Sequence, residues 1–159
     1  MALLIKAPAG RQRFNILGAL DAITHELIMV TNDSHVNAET FCELLAKLRT
    51  VNPITPITLI LDNVRYQKCN LVWQKADELS IELVYLPSYS PNLNLIERLW
   101  KFVKKKCLYS RYYPDFTAFK TAITNCLEHT HDEHKADLDT LLTLNFQLFT
   151  SEKVQVVTL

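Results

Sequence analysis

Two acidic residues, Asp62 and Glu97, occupy positions where a carboxylate could hold a metal ion. Asp62 directly follows a short apolar run, Ile57–Leu61, which is typical of a β-strand. At the carboxyl end of such a strand a carboxylate faces the crevice where α/β sheets bind ligands. Position alone favours equally the other reading, in which Asp62 caps the helix that follows it.

Glu97 lies in a predicted helix that spans about residues 91–107, for which Ser90 is a suitable cap. Lys101 and Lys104 follow Glu97 on the same side of this helix. Such a face could hold a metal-binding carboxylate and place ammonium groups along a phosphate backbone. The alternative is a solvated helix with a Glu–Lys pair. The apolar stripe of the helix comprises Leu93, Ile96, Trp100 and Val103.

The elements that must position these acids follow from the hydrophobic pattern. Strands are predicted at residues 13–22, 26–31, 57–61 and 81–86, the first two as an antiparallel pair. The third is expected to be buried on both faces. Further helices are predicted at residues 38–50, 65–79 and 115–127 and within 135–144. In the helix at 65–79, the inner face is predicted to carry Leu71, Val72, Ala76 and Leu79. This order predicts an α/β fold with a mixed sheet flanked by helices.

Three segments together resemble a known family. They are LILDN at 59–63, LPSYSPNLN at 86–94 and LIERLWK at 95–101. They look like the catalytic signature of bacterial insertion-sequence transposases of the mariner superfamily, which are DDE endonucleases with an RNase H-like fold. In that family the second acid follows a strand in a DN motif, and the third is a Glu about 34 residues later. Asp62 and Glu97 match these positions, and the resemblance covers roughly residues 6–128.

The resemblance implies metal-assisted transfer of DNA phosphodiesters, with Asp62 and Glu97 as catalytic ligands of Mg²⁺ or Mn²⁺. Asn63 and Asn94 are expected to orient these ligands or to fix the loop. The implied partner is DNA at transposon ends, and a homodimer is expected only through the resemblance. The residues expected to contact DNA are Lys101, Lys104, Lys105 and Arg111.

The resemblance also implies that the first, central strand is missing. That strand carries the family's first Asp, and nothing before Lys6 is expected to supply the strand or its acid. Asp21 is a poor substitute because the family does not use its position for metal, and Asp33 is a loop residue. We therefore expect a partial catalytic domain at residues 1–150 with a tail at 151–159. It should be inactive and poorly stable unless an upstream transposase segment restores the strand.

Two other functions remain open. One is a non-enzymatic transposase remnant that binds DNA or an intact transposase. The other is an RNase H-like repair or resolvase nuclease, which shares the acids but does not explain the loop at 86–94. The histidines His129, His131 and His134, with Cys126 as a loose fourth ligand, favour an exposed polar linker over a metal site.

Basic and aromatic residues at 104–113 favour either DNA contact or a solvated helix end, and Lys6, Arg11 and Arg13 could also touch DNA. Trp73 and Trp100 are expected to be core or interface residues.

Composition is that of an ordinary globular domain, with 159 residues, 48% hydrophobic and 21% charged. Lys plus Arg equals Asp plus Glu at 17 each, so the net charge argues neither for nor against a nucleic-acid partner. The four cysteines lack metal-site or redox spacing, so reduced thiols in a cytoplasmic protein are expected. No apolar run reaches the roughly 18 residues that would predict a membrane span.

Overall fold

A computed structural model of the chain describes residues 2–6, 12–88 and 93–144, the first range as backbone only. In these ranges the strands are β1 (Ala2–Lys6), β2 (Arg13–Leu20), β3 (Leu27–Asn32), β4 (Ile57–Leu61) and β5 (Ile81–Tyr85). The helices are α1 (Ala38–Val51), α2 (Asn70–Glu78), α3 (Leu95–Val103), α4 (Phe116–Glu128) and α5 (Lys135–Leu141). Roles predicted for the Lys6 side chain, Arg11, Ser90, Pro91 and residues 151–159 fall outside the described residues.

The strands form two small sheets. β1, β2 and β3 make an antiparallel sheet in that order, and β4 and β5 pair in parallel. The mixed α/β class predicted from the sequence is therefore confirmed, but the described strands do not form one continuous sheet. None of the described helices is long and apolar enough to cross a membrane.

Strand β1 was not among the strands predicted from the sequence. Ala2 pairs with Leu17 and Lys6 pairs with Arg13, so five residues of β1 extend the antiparallel ladder. The short apolar run at the start of the chain is long enough to pair once β2 offers a free edge. Its sequence, ALLIK, contains no acidic residue, so β1 brings no carboxylate to the molecule.

Among the strands whose side chains the structure describes, β2 is the one buried on both faces. Phe14 and Ile16 pack with α3, α4 and α5, whereas Leu17 and Ala19 pack with α1. The prediction of two-sided burial for β4 is wrong, since Ile60 is 55% exposed. In the described part of the chain, α1 and α2 cover only one face of the β4–β5 pair.

The predicted helix at 65–79 is divided in two. A 3₁₀ turn at Arg65–Gln67 precedes α2, which begins only at Asn70. Within α2, Val72 and Ala76 are buried one turn apart and define the inner face. Leu71, predicted on that face, is exposed because it lies about 100° around the helix from Val72.

Arg49 fixes the end of α1 to the turn that precedes β5. Its guanidinium donates hydrogen bonds of 2.8–2.9 Å to four backbone carbonyl oxygens, which belong to Asn52, Thr55, Leu79 and Ser80. Because a guanidinium offers five donors in a fixed planar array, one side chain satisfies carbonyls from both connecting segments. This contact fixes β4 and β5 relative to α1.

Gly18 allows α3 to lie close against β2. A Cβ atom at Gly18 would lie 3.0 Å from Leu27 Cδ1 and 3.3 Å from Trp100 Cη2. The predicted apolar stripe is confirmed at Ile96, Trp100 and Val103, which are all buried. Because α3 also carries Glu97, the lack of a side chain at Gly18 determines how closely Glu97 approaches the sheet.

Enlarging Gly18 should therefore destabilise the protein in steps. We expect Gly18→Ala to lower the free energy of unfolding by about 1 kcal/mol, because the nearby atoms are side chains that can shift, and Gly18→Val by more than about 2 kcal/mol. Urea unfolding measures both changes. Ala22→Val, in the exposed β2–β3 turn, is the matched control. A valine variant as stable as the parent would contradict the close packing of α3.

Candidate metal centre

The side chain of Asn94 joins the end of β4 to the start of α3. Its Nδ2 donates a 2.9 Å hydrogen bond to Asp62 Oδ1, while its Oδ1 caps α3 by accepting from the N–H of Ile96 at 3.3 Å. Asn94 is itself buried, so its bond to Ile96 is shielded from water, and its bond to Asp62 is partly shielded. The helix therefore begins at Asn94, later than the predicted start near Pro91, and its first turn lies beside Asp62.

The loops after β4 and β5 are held to one another. The N–H of Leu86 donates to the carbonyl oxygen of Leu61 at 2.8 Å, which continues the parallel ladder beyond β5. Asn63 Nδ2 donates to Ser88 Oγ at 2.8 Å. Asn63 thus contacts Ser88 in the loop at 86–94, and among the described residues it does not contact a carboxylate. This hydrogen bond agrees with the prediction that Asn63 fixes the loop.

Glu97 lies in the first turn of α3, and its side chain is partly buried. Burial raises the pKa of Glu97 above its ordinary value, and the negative charge of Asp62 raises that pKa further. Lys104 and Lys101 lower it. The two acids therefore lie close enough for their charges to repel each other.

A divalent cation fits the chemistry of this pair. Two carboxylates that repel each other are the oxygen ligands that hard cations prefer, and a bound cation would relieve the repulsion. Across the described ranges, no group of three or more His, Cys, Asp or Glu side chains could hold a metal ion. A cation held by this pair would therefore have no third acidic ligand from the described residues.

Tyr66 and Ser88 are neighbours of the site that the sequence did not reveal. Burial raises the pKa of Tyr66, and the negative charge of Asp62 contributes to the increase, which locates the phenol near that acid. Its ring packs edge-on against Phe41 with centroids 6.5 Å apart. A lone Tyr in a 3₁₀ turn and a Ser in a loop carry no local signal of such proximity.

The predicted DNA-contacting residues are distributed along α3 and beyond it. Lys101 and Lys104 lie near Glu97, as their effect on its pKa indicates. Lys105 is exposed in the π-helical segment Lys104–Leu108, and Arg111 is exposed in the loop that follows. Lys106 turns away to pair with Asp137 at 3.6 Å.

The other candidate acids have local structural partners. Asp21 accepts hydrogen bonds of 2.8 Å from the N–H groups of Ile23 and Thr24 in the β2–β3 turn. Asp33 accepts from Lys120 Nζ at 3.0 Å. Neither contact leads to the Asp62–Glu97 pair.

The histidines at 129–134 contact different partners. His129 Nδ1 lies 3.0 Å from Asp132 Oδ2, and His134 packs edge-on against Phe102 with centroids 5.5 Å apart. Trp100 is a core residue, as expected. Trp73 is half-exposed and donates its indole N–H to the Tyr85 hydroxyl at 3.0 Å. All four cysteines are free thiols.

The sequence of this chain matches the model of one protein family over most of its length. A family model described as DDE superfamily endonuclease matches residues 2–120, which is most of the sequence. The chain belongs to the DDE superfamily endonucleases. This chain is also similar to the "Insertion element IS630 uncharacterized 39 kDa protein" of Shigella sonnei, with 32% identity over 100 residues. The aligned region is 61% of this chain and spans only 29% of that relative's length.

Solved structures show the same fold at low sequence identity. The Mos1 transposase catalytic domain, determined with raltegravir and Mg, superimposes with a TM-score of 0.66 at 12% identity, covering 94% of this chain and 83% of that one. The catalytic core domain of BIV integrase gives 0.54 at 12% identity, covering 83% of each chain. The chain therefore has the RNase H-like fold of transposase and integrase catalytic domains, as the sequence predicted.

Replacing Asn94 tests its two bonds separately. Asn94→Ala removes both, and we expect it to lower the free energy of unfolding by about 1 kcal/mol through loss of the cap. Asn94→Ser keeps a capping oxygen but cannot donate to Asp62. Both variants should weaken Mn²⁺ binding by about 10- to 100-fold, because a group that orients a ligand is lost.

Calorimetric titration with Mn²⁺ and urea unfolding measure these two effects. The control is Asn37→Ala, which removes the equivalent cap of α1 and should change stability alone. If Asn94→Ser bound Mn²⁺ as tightly as the parent, Asn94 would have no part in holding the ligand.

Neutralising Glu97 should stabilise the metal-free protein. The folded-state pKa of Glu97 is raised, so its ionisation favours the unfolded state, and stability is lost as pH rises through that pKa. Glu97→Gln should therefore have a higher thermal midpoint than the parent at neutral pH, with the difference shrinking as pH falls below the pKa. Glu39→Gln, in the first turn of α1, is the control. A lower midpoint for Glu97→Gln at neutral pH would be inconsistent with repulsion at the site.

Proposed function

We propose that this chain is part of an insertion-sequence transposase that catalyses metal-dependent DNA strand cleavage and strand transfer. The observation that carries the proposal is the Asn94 bridge, which brings the first turn of α3 beside Asp62. Burial and, after it, the negative charge of Asp62 raise the pKa of Glu97, and such a pair of acids suits a shared cation better than a structural role. The family match of residues 2–120 supports the same reaction class.

Asp62 and Glu97 would hold Mg²⁺ or Mn²⁺ through their carboxylate oxygens. When bound, such ions supply Lewis-acid stabilisation of a phosphodiester and a more acidic water. The protein's own contributions are positional and electrostatic. Asn94 holds the Asp62 carboxylate in one orientation, and Lys101 and Lys104 offer positive charge beside Glu97 for the DNA backbone.

A third carboxylate would come from outside the described residues. β1 carries no acid, and no third metal-binding side chain accompanies Asp62 and Glu97 in the described ranges. Among the described strands, all except β2 have a hydrogen-bonded neighbour on one side only, and β1 and β4 are two of these edges. An upstream transposase segment that ends a strand in Asp could pair there. Action on transposon ends as a homodimer, in the bacterial cytoplasm where the DNA lies, belongs to the same proposal.

The second candidate is a non-enzymatic remnant that binds DNA or an intact transposase. The observation that favours it is the combination of an incomplete acidic set with cationic side chains that remain exposed on and after α3. This candidate predicts DNA binding that is independent of divalent metal. It also predicts no strand cleavage even when a strand with a third acid is supplied.

Cleavage of transposon-end DNA with Mn²⁺ tests both candidates. We compare the chain alone with the chain fused to an upstream segment whose strand ends in Asp, and we expect cleavage by the fusion only. In the fusion, Asp62→Asn and Glu97→Gln should each slow cleavage by roughly 100-fold or more, since metal ligation contributes several kcal/mol to the transition state. Asp77→Asn, an exposed acid on α2, is the matched control.

Cleavage by the fusion that survives Glu97→Gln would remove Glu97 from its role. DNA binding without cleavage by either protein would favour the remnant.

A further inference from the structure

The loop between α3 and α4 exposes two aromatic rings three positions apart in the sequence. Tyr109 is 65% exposed and Tyr112 is 89% exposed. Neither hydroxyl has a hydrogen-bond partner in the described part of the chain, unlike the indole N–H of Trp73, which bonds to Tyr85. Tyrosines are enriched at binding surfaces because a rigid ring offers much contact area at small entropic cost.

The loop that carries these rings is anchored at both ends. Tyr113 donates its hydroxyl to the carbonyl oxygen of Cys107 at 2.6 Å and packs edge-on against Phe119. Between the two rings, Ser110 adopts a left-handed conformation with φ of 58°. Asp115 then caps α4. The backbone under Tyr109 and Tyr112 is thus ordered before any partner binds, which lowers the entropic cost of binding.

The surroundings of the rings are cationic. Lys105 and Arg111 are exposed on either side of Tyr109, while Lys106 is paired with Asp137. The nearest acid in the sequence, Asp115, accepts the N–H of Ala118 at 2.7 Å. A partner that complements both the positive charge and the exposed rings must carry negative charge and must present flat groups that are not already stacked. Nucleic acid with unpaired bases has both, whereas the bases of an intact duplex are already stacked on each other.

We propose that Tyr109 and Tyr112 stack on unpaired bases of DNA bound along α3. This proposal rests on the proposed function. It adds that the DNA beside Tyr109 and Tyr112 must be unpaired. Glu97 and Tyr109 are twelve positions apart along α3 and the π-helical segment, a length of at most about 18 Å at the α-helical rise of ~1.5 Å per residue. At ~3.4 Å per nucleotide, the unpaired bases would lie about five nucleotides from the phosphate at the acids.

The test is equilibrium binding of the 159-residue chain to two fluorescent DNAs in the absence of divalent metal. One is a duplex, and the other is the same duplex with an unpaired tail. The double variant Tyr109→Leu/Tyr112→Leu keeps apolar side chains but removes the rings. It should lose about tenfold or more in affinity for the tailed DNA and less than about threefold for the duplex.

Two controls accompany this measurement. The double variant Tyr109→Phe/Tyr112→Phe keeps both rings and should bind the tailed DNA with the affinity of the parent. Ile54→Ser, at a loop residue that is 92% exposed, should bind both DNAs like the parent. Thermal unfolding verifies that each variant is folded.

Equal losses on both DNAs, or no loss on the tailed DNA, would overturn the stacking proposal alone. A parent chain that binds neither DNA would overturn the proposed function together with it. Failure of the fusion to cleave, with tail-selective binding intact, would overturn the catalytic proposal and leave the stacking surface standing.

Discussion

A single amide group, that of Asn94, makes the two contacts on which the arrangement of both acids depends. Its oxygen fixes where α3 begins, and its nitrogen holds the carboxylate at the end of β4. Because the amide is planar and buried, these two bonds fix the start of the helix relative to the end of the strand. Glu97 is one turn from that point, so its distance from Asp62 follows from the same group.

The acids are held together against their own repulsion by apolar packing. Ile96, Leu99 and Trp100 bury the inner face of α3 against β2, and Gly18 provides the room. Burial of this kind is worth roughly 1.5–3 kcal/mol per large side chain, and three such side chains hold α3 in place. Stability in the core thus offsets an unfavourable charge pair, as is usual where a protein prepares a site for an ion.

Local patterns were enough to predict the elements that carry Asp62 and Glu97. The apolar run of β4 and the stripe of α3 are properties of neighbouring residues, and both elements form. From spacing alone, Asp62 and Glu97 could each also have had a purely structural role. The resemblance of the loop at 86–94 to a known family is what predicted that the two acids act together. The pairing of β1, the exposure of Ile60 and the nearness of Tyr66 depend on contacts distant in sequence, so no local pattern contained them.

In the part of the chain that the structure describes, one face of the β4–β5 pair is not covered by a helix, and this exposure bears on the abundance of the protein in a cell. Ile60 and Val84 are exposed on this face, and a parallel pair of strands is normally covered on both sides. Chaperones and proteases recognise apolar surface of this kind, so the chain's abundance would depend on how soon another polypeptide covers it. Synthesis together with that polypeptide would then govern how long the protein persists.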